Sequence, residues 1–172
     1  MGGRPSDAEF SELVHAAWPS LYRTAYLLVG DQGLAEDLVQ VALGKTDASW
    51  GRVREVGAAR AYARKIMVNT AASWFRRAGW RKERPSEVLP GSSYDEDPTA
   101  QLALMQALAQ LPLRQRAVVV LRFYEDLSVT ETAGVLGCAE GTVKSQTSDA
   151  LARLRALLGD AVAPVESGAV DD

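Results

Sequence analysis

Residues 128–145, SVTETAGVLGCAEGTVKS, carry the clearest local signals of structure in the sequence. This stretch opens on a capping box, because Ser128 can cap a helix N-terminus and Glu131, three residues later, can return the hydrogen bond. Gly137 is a helix stop, and a second helix is predicted from about Glu140 to Leu158. A short helix, a tight turn and a longer helix form a helix-turn-helix pattern. A plain antiparallel helix pair is the alternative interpretation.

The two faces of this motif differ in chemistry. Ala133 is small enough to let the second helix cross closely, and Val143 is predicted on the inner face of that helix. The outward residues of its first turns carry hydroxyl, amide and ammonium groups, which reach base edges and phosphates. These candidates for contact with duplex DNA are Thr142, Lys144, Ser145, Gln146 and Ser148.

Outward from this motif, apolar residues recur at helical spacing and no strand pattern is evident. Phe10 to Leu21, Leu21 to Val29 and Leu34 to Ala42 are three such runs, and Gly51 and Gly57 mark a looser stretch between Lys45 and Ala59. The prediction is an all-α protein of two small helical domains joined by a flexible linker. Its parts are a first domain at 8–78, a linker at 79–99 that is rich in proline and acidic residues, a second domain at 100–158, and an acidic tail at 159–172 that is predicted to be disordered.

One long helix, from about Ala59 to Arg77, carries two contrasting faces. Its apolar face is predicted to hold Ala63, Ile66, Met67, Thr70 and Trp74. Its opposite face holds Lys65, Asn69, Ser73 and Arg76. Basic and hydrogen-bonding side chains with small residues between them suit a helix that lies along a polyanion.

Charge distribution supports that interpretation although the whole chain has a net charge of −3. Residues 52–84 carry ten Lys or Arg and two Asp or Glu, between acidic neighbours. A concentrated basic patch can meet phosphates even on an acidic protein. A solvated helix face is the alternative, and the aromatic residues Trp74, Phe75 and Trp80 within the run favour nucleic acid.

Composition excludes several classes of protein. A single Cys and a single His leave no disulfide framework and no Cys/His zinc site, so neither a metal nor a cofactor is expected. No apolar run approaches the ~18 residues of a membrane span, and the N-terminus does not read as a signal peptide. The expectation is a soluble protein of a reducing cytoplasm with no membrane insertion.

Several runs, in this order and spacing, resemble bacterial sigma factors of the extracytoplasmic-function type, which keep only sigma domains 2 and 4. The resemblance covers about residues 9–157. It is carried by Asp37-Leu38-Val39-Gln40, by Val68-Asn69-Thr70, by LPLRQRAV at 111–118 and by Gly141-Thr142-Val143-Lys144-Ser145. The runs SWFRR at 73–77 and RPSEVLP at 84–90 are similar to the actinobacterial, sigma-E-type branch.

The resemblance implies a transcription initiation factor, without enzymatic activity, that works at the bacterial nucleoid when bound to polymerase. Domain 2 is then expected to bind the clamp helices of the β′ subunit of core RNA polymerase and the −10 element of promoter DNA. Domain 4 is expected to bind the tip of the β flap and the −35 element. Family members are commonly held by an anti-sigma factor, which makes such a factor an expected partner.

The same resemblance assigns residues. Asp37, Leu38, Val39 and Gln40 match the clamp-helix motif. The loop that begins at Ser49, with Trp50, Arg52 and Val53, matches the segment that forms the −10 pocket, and Asn69 matches the asparagine beside it. Lys65, Ser73, Arg76 and Arg77 are expected to bind the −10 strand with Asn69, while Thr142, Lys144 and Ser145 match the −35 helix.

Two departures from the family weaken the expected −35 contact. Ala139 stands where the family usually has a capping serine, and losing a cap costs about 1 kcal/mol. Gln146 and Asp149 stand where arginine is common, and Asp149 would repel phosphate. Weak −35 binding by this domain alone is expected, with tethering to polymerase supplying much of the affinity.

Three other functions fit the sequence less well. A dimeric helix-turn-helix regulator would bind a two-fold symmetric site, but the basic patch lies in the other domain and no dimerisation helix is evident. A helical adaptor would leave the basic face and Asn69 unexplained. An enzyme is disfavoured because the sequence shows no nucleophile–base set and no glycine loop for phosphate.

Overall fold

The computed structural model describes residues 6–50, 56–77 and 97–159, and those residues contain helices and no strand. They form two compact units, the first built from three helices and the second from four. The helices are α1 (Asp7–Val29), α2 (Gln32–Ala48), α3 (Val56–Arg77), α4 (Pro98–Gln110), α5 (Leu113–Val119), α6 (Val129–Leu136) and α7 (Glu140–Leu158). The predicted all-α architecture of two helical domains is confirmed. Residues 79–96 of the predicted linker and 160–172 of the predicted tail lie outside the described residues. Helix α4 begins two residues before the predicted start of the second domain at residue 100.

The first helix is longer than the sequence pattern suggested. Its two apolar runs form one continuous helix, because Pro19 is exposed and interrupts the ladder only on the solvent side. A capping box of Ser6 and Glu9 opens α1, and Gly30, at φ 73°, closes it with an N–H bond to the carbonyl of Tyr26. A left-handed residue is needed at that position, which glycine adopts without strain.

The loose stretch expected between Lys45 and Ala59 is shorter than predicted. Helix α2, capped by the Asp31 carboxylate on the N–H of Leu34 at 2.8 Å, continues to Ala48. Helix α3 begins at Val56, so Gly57 is helical rather than part of a loop. Residues 51–55 lie outside the part of the chain that the structure describes.

The buried face of α3 is rotated from the predicted one. The structure buries Ala59, Ala63, Met67, Val68 and Ala71. Ile66, Thr70 and Trp74, which were predicted on the core face, are only half-buried. The reason is that α3 packs against both α1 and α2, which moves the centre of its buried arc away from these three residues. They become available to line a surface groove.

The helix-turn-helix forms as its sequence predicted. Ser128 and Glu131 make the capping box of α6, and Gly137 ends that helix at φ 64°. Val118, Val129, Ala133 and Val143 make the small core beneath the turn, with Leu136 and Cys138 packed against it. As expected, Ala139 gives α7 no side-chain cap.

Helix α5 ends in a π-helical turn that the sequence did not reveal. Residues Val120–Tyr124 form a turn wider than that of an α-helix, in which the N–H of Glu125 donates to the carbonyl of Val120 at 2.9 Å. Such turns are rare and often found at functional sites. Here the turn leaves Phe123 and Tyr124 exposed at 45% and 41%.

In the second unit, a buried arginine of α5 bonds to the C-terminal end of α4. Arg116 is 4% exposed, and its Nε donates to the carbonyl of Leu108 at 2.8 Å. One Nη also donates to the carbonyls of Ala109 and Leu111 at 3.0 and 2.9 Å. These carbonyls belong to the C-terminal end of α4, where the helix has no further N–H groups to offer. Burial lowers the pKa of the Arg116 guanidinium to about 10, so it remains charged at neutral pH.

In the described residues, no helix is long and apolar enough to cross a membrane. Nor does that part of the chain gather three or more potential metal ligands.

Candidate nucleic-acid and protein interfaces

A groove of about 420 Å³ lies between α2 and α3 in the first unit. It brings together Asn69, Ser73 and Arg77, three of the residues expected to bind the −10 strand. The remaining lining residues are Val41, Lys45, Tyr62, Ile66, Thr70 and Trp74. An amide, two cations, hydroxyls and two aromatic rings in one groove can together hold the face of a base, its edge and its phosphate.

Lys65 and Arg76 are exposed on α3 but do not line the groove. On the outer surface of the same helix, Lys65 lies four residues before Asn69 and Arg76 seven residues after it. The exposed face predicted for α3 is therefore present, and the groove runs along one edge of it.

Ser49, the residue that ends α2, makes a polar contact with α3. The hydroxyl of Tyr62 lies 3.2 Å from Ser49 Oγ, within hydrogen-bonding distance. Tyr62 is 41% exposed, so its ring is accessible from the groove while its hydroxyl contacts Ser49. Arg52 and Val53 lie outside the described residues.

Trp50 corrects one expectation. Its side chain is 2% exposed, packs edge to face on Phe10 and donates from Nε1 to the carbonyl of Ser6 at 3.2 Å. An indole ring that is buried in this way offers no face to a base. The predicted DNA contact by Trp50 is therefore corrected to a packing role. Because Trp50 lies in the short 49–53 segment, its side chain was expected to be exposed. The sequence does not show that Trp50 lies against the start of α1.

The run Asp37-Leu38-Val39-Gln40 divides between surface and core. Asp37 and Gln40 are exposed, whereas Leu38 and Val39 are fully buried. Because an α-helix turns by 100° per residue, the two central side chains point into the unit. The expectation that all four touch polymerase is corrected: Leu38 and Val39 fix the helix, and Asp37 and Gln40 are the side chains available to a partner.

On α7, the predicted DNA-facing residues are accessible to different degrees. Lys144, Ser145 and Ser148 are exposed, and Thr142 and Gln146 are half-buried. Ser145 Oγ donates to the carbonyl of Thr142 at 3.1 Å. With its proton engaged there, this hydroxyl can still accept a hydrogen bond from a base. Asp149 is exposed.

A hydrogen bond across the turn ties the two helices of the motif together. Thr130 Oγ1 donates to Glu140 Oε1 at 2.6 Å. Glu140 lies in the first turn of α7, where a carboxylate interacts favourably with the helix dipole. The pair compensates in part for the cap that Ala139 does not supply.

Sequence reasoning missed two sets of residues. Lys45 and Tyr62 belong to the groove, and their contribution depends on how α2 and α3 pack. Phe123 and Tyr124 form an exposed aromatic pair, with the Arg122 guanidinium 6.0 Å from the Phe123 ring centroid. Both residues lie in the π-helical turn, and the sequence analysis did not single them out.

Comparison with known proteins gives matches to both units. Residues 6–81 match the family model for Sigma-70 region 2, and residues 101–154 match that for Sigma-70, region 4. The RNA polymerase sigma-E factor of Streptomyces coelicolor is 45% identical over 151 residues, covering 86% of this chain and 84% of that protein. The ECF RNA polymerase sigma factor SigM of Mycobacterium tuberculosis is 34% identical over 151 residues, covering 87% and 77%.

A solved structure is also similar. It is the sigma factor RpoE from Bartonella quintana, in complex with the anti-sigma factor NepR. The match has a TM-score of 0.72 and 27% sequence identity, and it covers 87% of this chain and 96% of that one.

Proposed function

Because this chain belongs to the sigma-70 family, as a sigma factor of the extracytoplasmic-function type, we propose how its residues divide the work of promoter recognition. The chain is a non-catalytic initiation factor that binds core RNA polymerase and directs it to promoters. The proposal concerns which surfaces carry each step. It assigns the polymerase-binding and −10-binding domain to residues 8–78 and the −35-binding domain to residues 100–158.

The first unit binds the melted −10 strand in the groove between α2 and α3. The observation that carries this assignment is the convergence of Asn69, Ser73 and Arg77 with the exposed Tyr62 ring in one groove. Unpaired bases offer faces to an aromatic ring and edges to an amide, and stacking on a ring is worth about 1–3 kcal/mol per base. In duplex DNA the base faces are stacked against one another and closed to a protein ring, so such a groove favours the melted form.

Phosphates of the same strand meet the cations around the groove. Lys65 and Arg76 lie on the outer surface of α3, and Lys45 and Arg77 lie in the groove itself. Arg52 and Val53 enter the proposal on the resemblance of their loop to the family. Ser49 contributes through its contact with Tyr62, which fixes the start of that loop.

The outer face of α2 binds the clamp helices of the β′ subunit. Asp37 and Gln40 are exposed there and can bond to a basic helix. Leu38 and Val39 act as positioning residues, since both are fully buried beneath that face.

The second unit reads the −35 element through α7. Thr142, Lys144, Ser145, Gln146 and Ser148 lie on or beside its exposed face. Phe123 and Tyr124 supply the apolar contact with the tip of the β flap, supported by their exposure at the π-helical turn. Tethering through polymerase raises the local concentration of this weakly cationic helix at DNA.

An anti-sigma factor is proposed as the regulator. The similar Bartonella sigma factor was solved with one, and a protein that covered the exposed face of α2 would exclude polymerase by direct competition. A sigma factor acts where polymerase meets promoters, so the proposed location is cytoplasmic, at the nucleoid in the polymerase-bound state.

The experiment is co-elution of the purified chain with Streptomyces core RNA polymerase, followed by binding of the complex to fork-junction DNA. Asp37→Ala and Gln40→Ala are expected to lose co-elution while keeping the wild-type melting temperature, because both side chains are exposed. Glu12→Ala, an exposed carboxylate on α1, is the matched control. Retained co-elution in both α2 variants would remove this face from the polymerase interface.

A further inference from the structure

Exposed residues on α2 follow a regular row that extends beyond the DLVQ motif. Gly33, Asp37, Gln40, Gly44 and Asp47 are all exposed and are separated by four, three, four and three residues. We name this row the α2 ridge. A spacing of alternating fours and threes is that of a coiled-coil seam, along which a second helix can pack continuously.

Gly44 has no explanation within the unit itself. It lies in the interior of α2, where glycine is the least favourable residue other than proline. Among the described residues, a Cβ built at Gly44 meets no atom within 4 Å, so close packing there does not require glycine. Its backbone is not among those with positive φ, so conformation does not require glycine either.

Gly33, at the other end of the ridge, differs in this respect. It follows the capping residue of α2, and a Cβ there would lie 3.4 Å from Asp31 Oδ1. Local packing around the cap is a sufficient reason for a small residue at Gly33. Gly44 is therefore the ridge residue whose unfavourable helix propensity is not explained by any contact among the described residues of the unit.

The charge of the ridge indicates the chemistry of its occupant. Asp37 and Asp47 lie on the ridge, Glu36 is exposed beside it, and no Lys or Arg occupies a ridge position. A partner helix with basic side chains complements this surface. A side chain of that helix can lie directly against the backbone at Gly44, where α2 projects no side chain of its own.

We infer that the α2 ridge is a helix-docking seam on which a basic helix of core RNA polymerase makes its closest approach at Gly44. The inference rests on the proposed function, which places polymerase on α2, and it adds a binding position one helical turn beyond Gln40. Gly44 is then retained for the partner at the expense of the stability of the free protein.

The test uses the full chain and measures both stability and polymerase binding. Gly44→Ala is expected to raise the melting temperature by about 4–8 °C, because alanine favours the helix. It is expected to weaken binding to Streptomyces core RNA polymerase about tenfold or more, because a methyl group overpacks the interface. Gly44→Gln is expected to weaken binding further, since its side chain is larger.

Gly57→Ala is the matched control. Gly57 is exposed on α3, and its Cβ would also meet nothing within 4 Å, so this variant is expected to bind polymerase like wild type. Wild-type binding by Gly44→Ala would overturn the inference while leaving the polymerase face intact, provided that Gln40→Ala still loses binding. A Gly44→Ala protein without added stability would also overturn it, because glycine would then serve the fold.

If both Gln40→Ala and Gly44→Ala bind normally, the face itself is misassigned, and the proposed function of α2 fails together with the inference.

Discussion

The indole of Trp50 meets the ring of Phe10 edge to face, with 5.2 Å between ring centroids. Its Nε1 also donates to the carbonyl of Ser6, 44 residues earlier in the chain. This pair joins the end of α2 to the start of α1 and closes the core of the first unit. The residue that the sequence suggested for DNA is thus a packing residue, with consequences for stability.

Replacing Trp50 is expected to destabilise the protein before it affects DNA. Trp50→Ala should lower the free energy of unfolding by about 3–5 kcal/mol, because a large buried side chain is lost. Trp50→Phe keeps most of the packing and removes the bond to Ser6, so its loss should be smaller. Urea unfolding measures both. A Trp50→Ala protein of wild-type stability with weakened DNA binding would restore the DNA role.

Arg116 is expected to contribute to the stability of the second unit at neutral pH. Arg116→Met should lower the free energy of unfolding by about 3 kcal/mol or more, since three carbonyls at the end of α4 lose a charged donor. Arg114→Met, at an exposed position of the same helix, is the control. Equal stability of the two variants would contradict this role.

The pH dependence of the Arg116 contribution has a definite sign. Burial lowers the pKa of the Arg116 guanidinium to about 10, below its pKa in the unfolded chain, so above about pH 10 the unfolded state binds more protons than the folded state. This group should therefore add no pH dependence to stability below about pH 10, and a rising contribution above it. Comparing wild type with Arg116→Met by urea unfolding between pH 6 and pH 9 should give a constant difference. A difference that changed steadily over this range would contradict the assignment.

Asn69 is expected to act in promoter opening and not in assembly with polymerase. Asn69→Ala should weaken binding of the holoenzyme to fork-junction DNA by about tenfold, because one edge-reading amide is worth about 1–3 kcal/mol. Co-elution with core polymerase should be unchanged, since Asn69 lies on α3, away from the outer face of α2. An equal loss of both would remove Asn69 from the −10 site.

Asp149 is expected to limit the affinity of α7 for duplex DNA. Asp149→Ala removes a repulsive charge, and Asp149→Arg adds an attractive one. Affinity should rise in the order wild type, Ala, Arg, and the salt dependence should steepen by about one phosphate contact in the Arg variant. Titrations at several salt concentrations give both quantities. An unchanged slope would mean that residue 149 does not face phosphate.

Local signals in the sequence were sufficient for much of the fold. Ser128, Glu131 and Gly137 define the helix-turn-helix because caps and left-handed stops depend on the residues beside them. Pro19 did not end its helix, since an exposed proline costs one hydrogen bond and the packing of α1 outweighs that cost.

The binding surfaces were predicted less completely. Asn69, Ser73 and Arg77 were selected from residue type, and the structure gathers them in a groove. Lys45 and Tyr62 also line that groove. They lie on two different helices, and sequence spacing does not show how those helices pack together. Leu38, Val39 and Trp50 were assigned to contacts from a motif, and burial gave them packing roles.

Local sequence patterns were enough to predict most of the helices, the capping box and glycine stop of the helix-turn-helix, and the residues with chemistry suited to DNA. These properties follow from interactions between residues a few positions apart, and a linear pattern records them. Tertiary structure alone decided which of those residues face solvent. The direction of a side chain depends on how α1, α2 and α3 rotate against one another, and the π-helical turn at Val120–Tyr124 changes that direction for Phe123 and Tyr124. Packing sums many contacts between distant residues, so no local pattern contains its result.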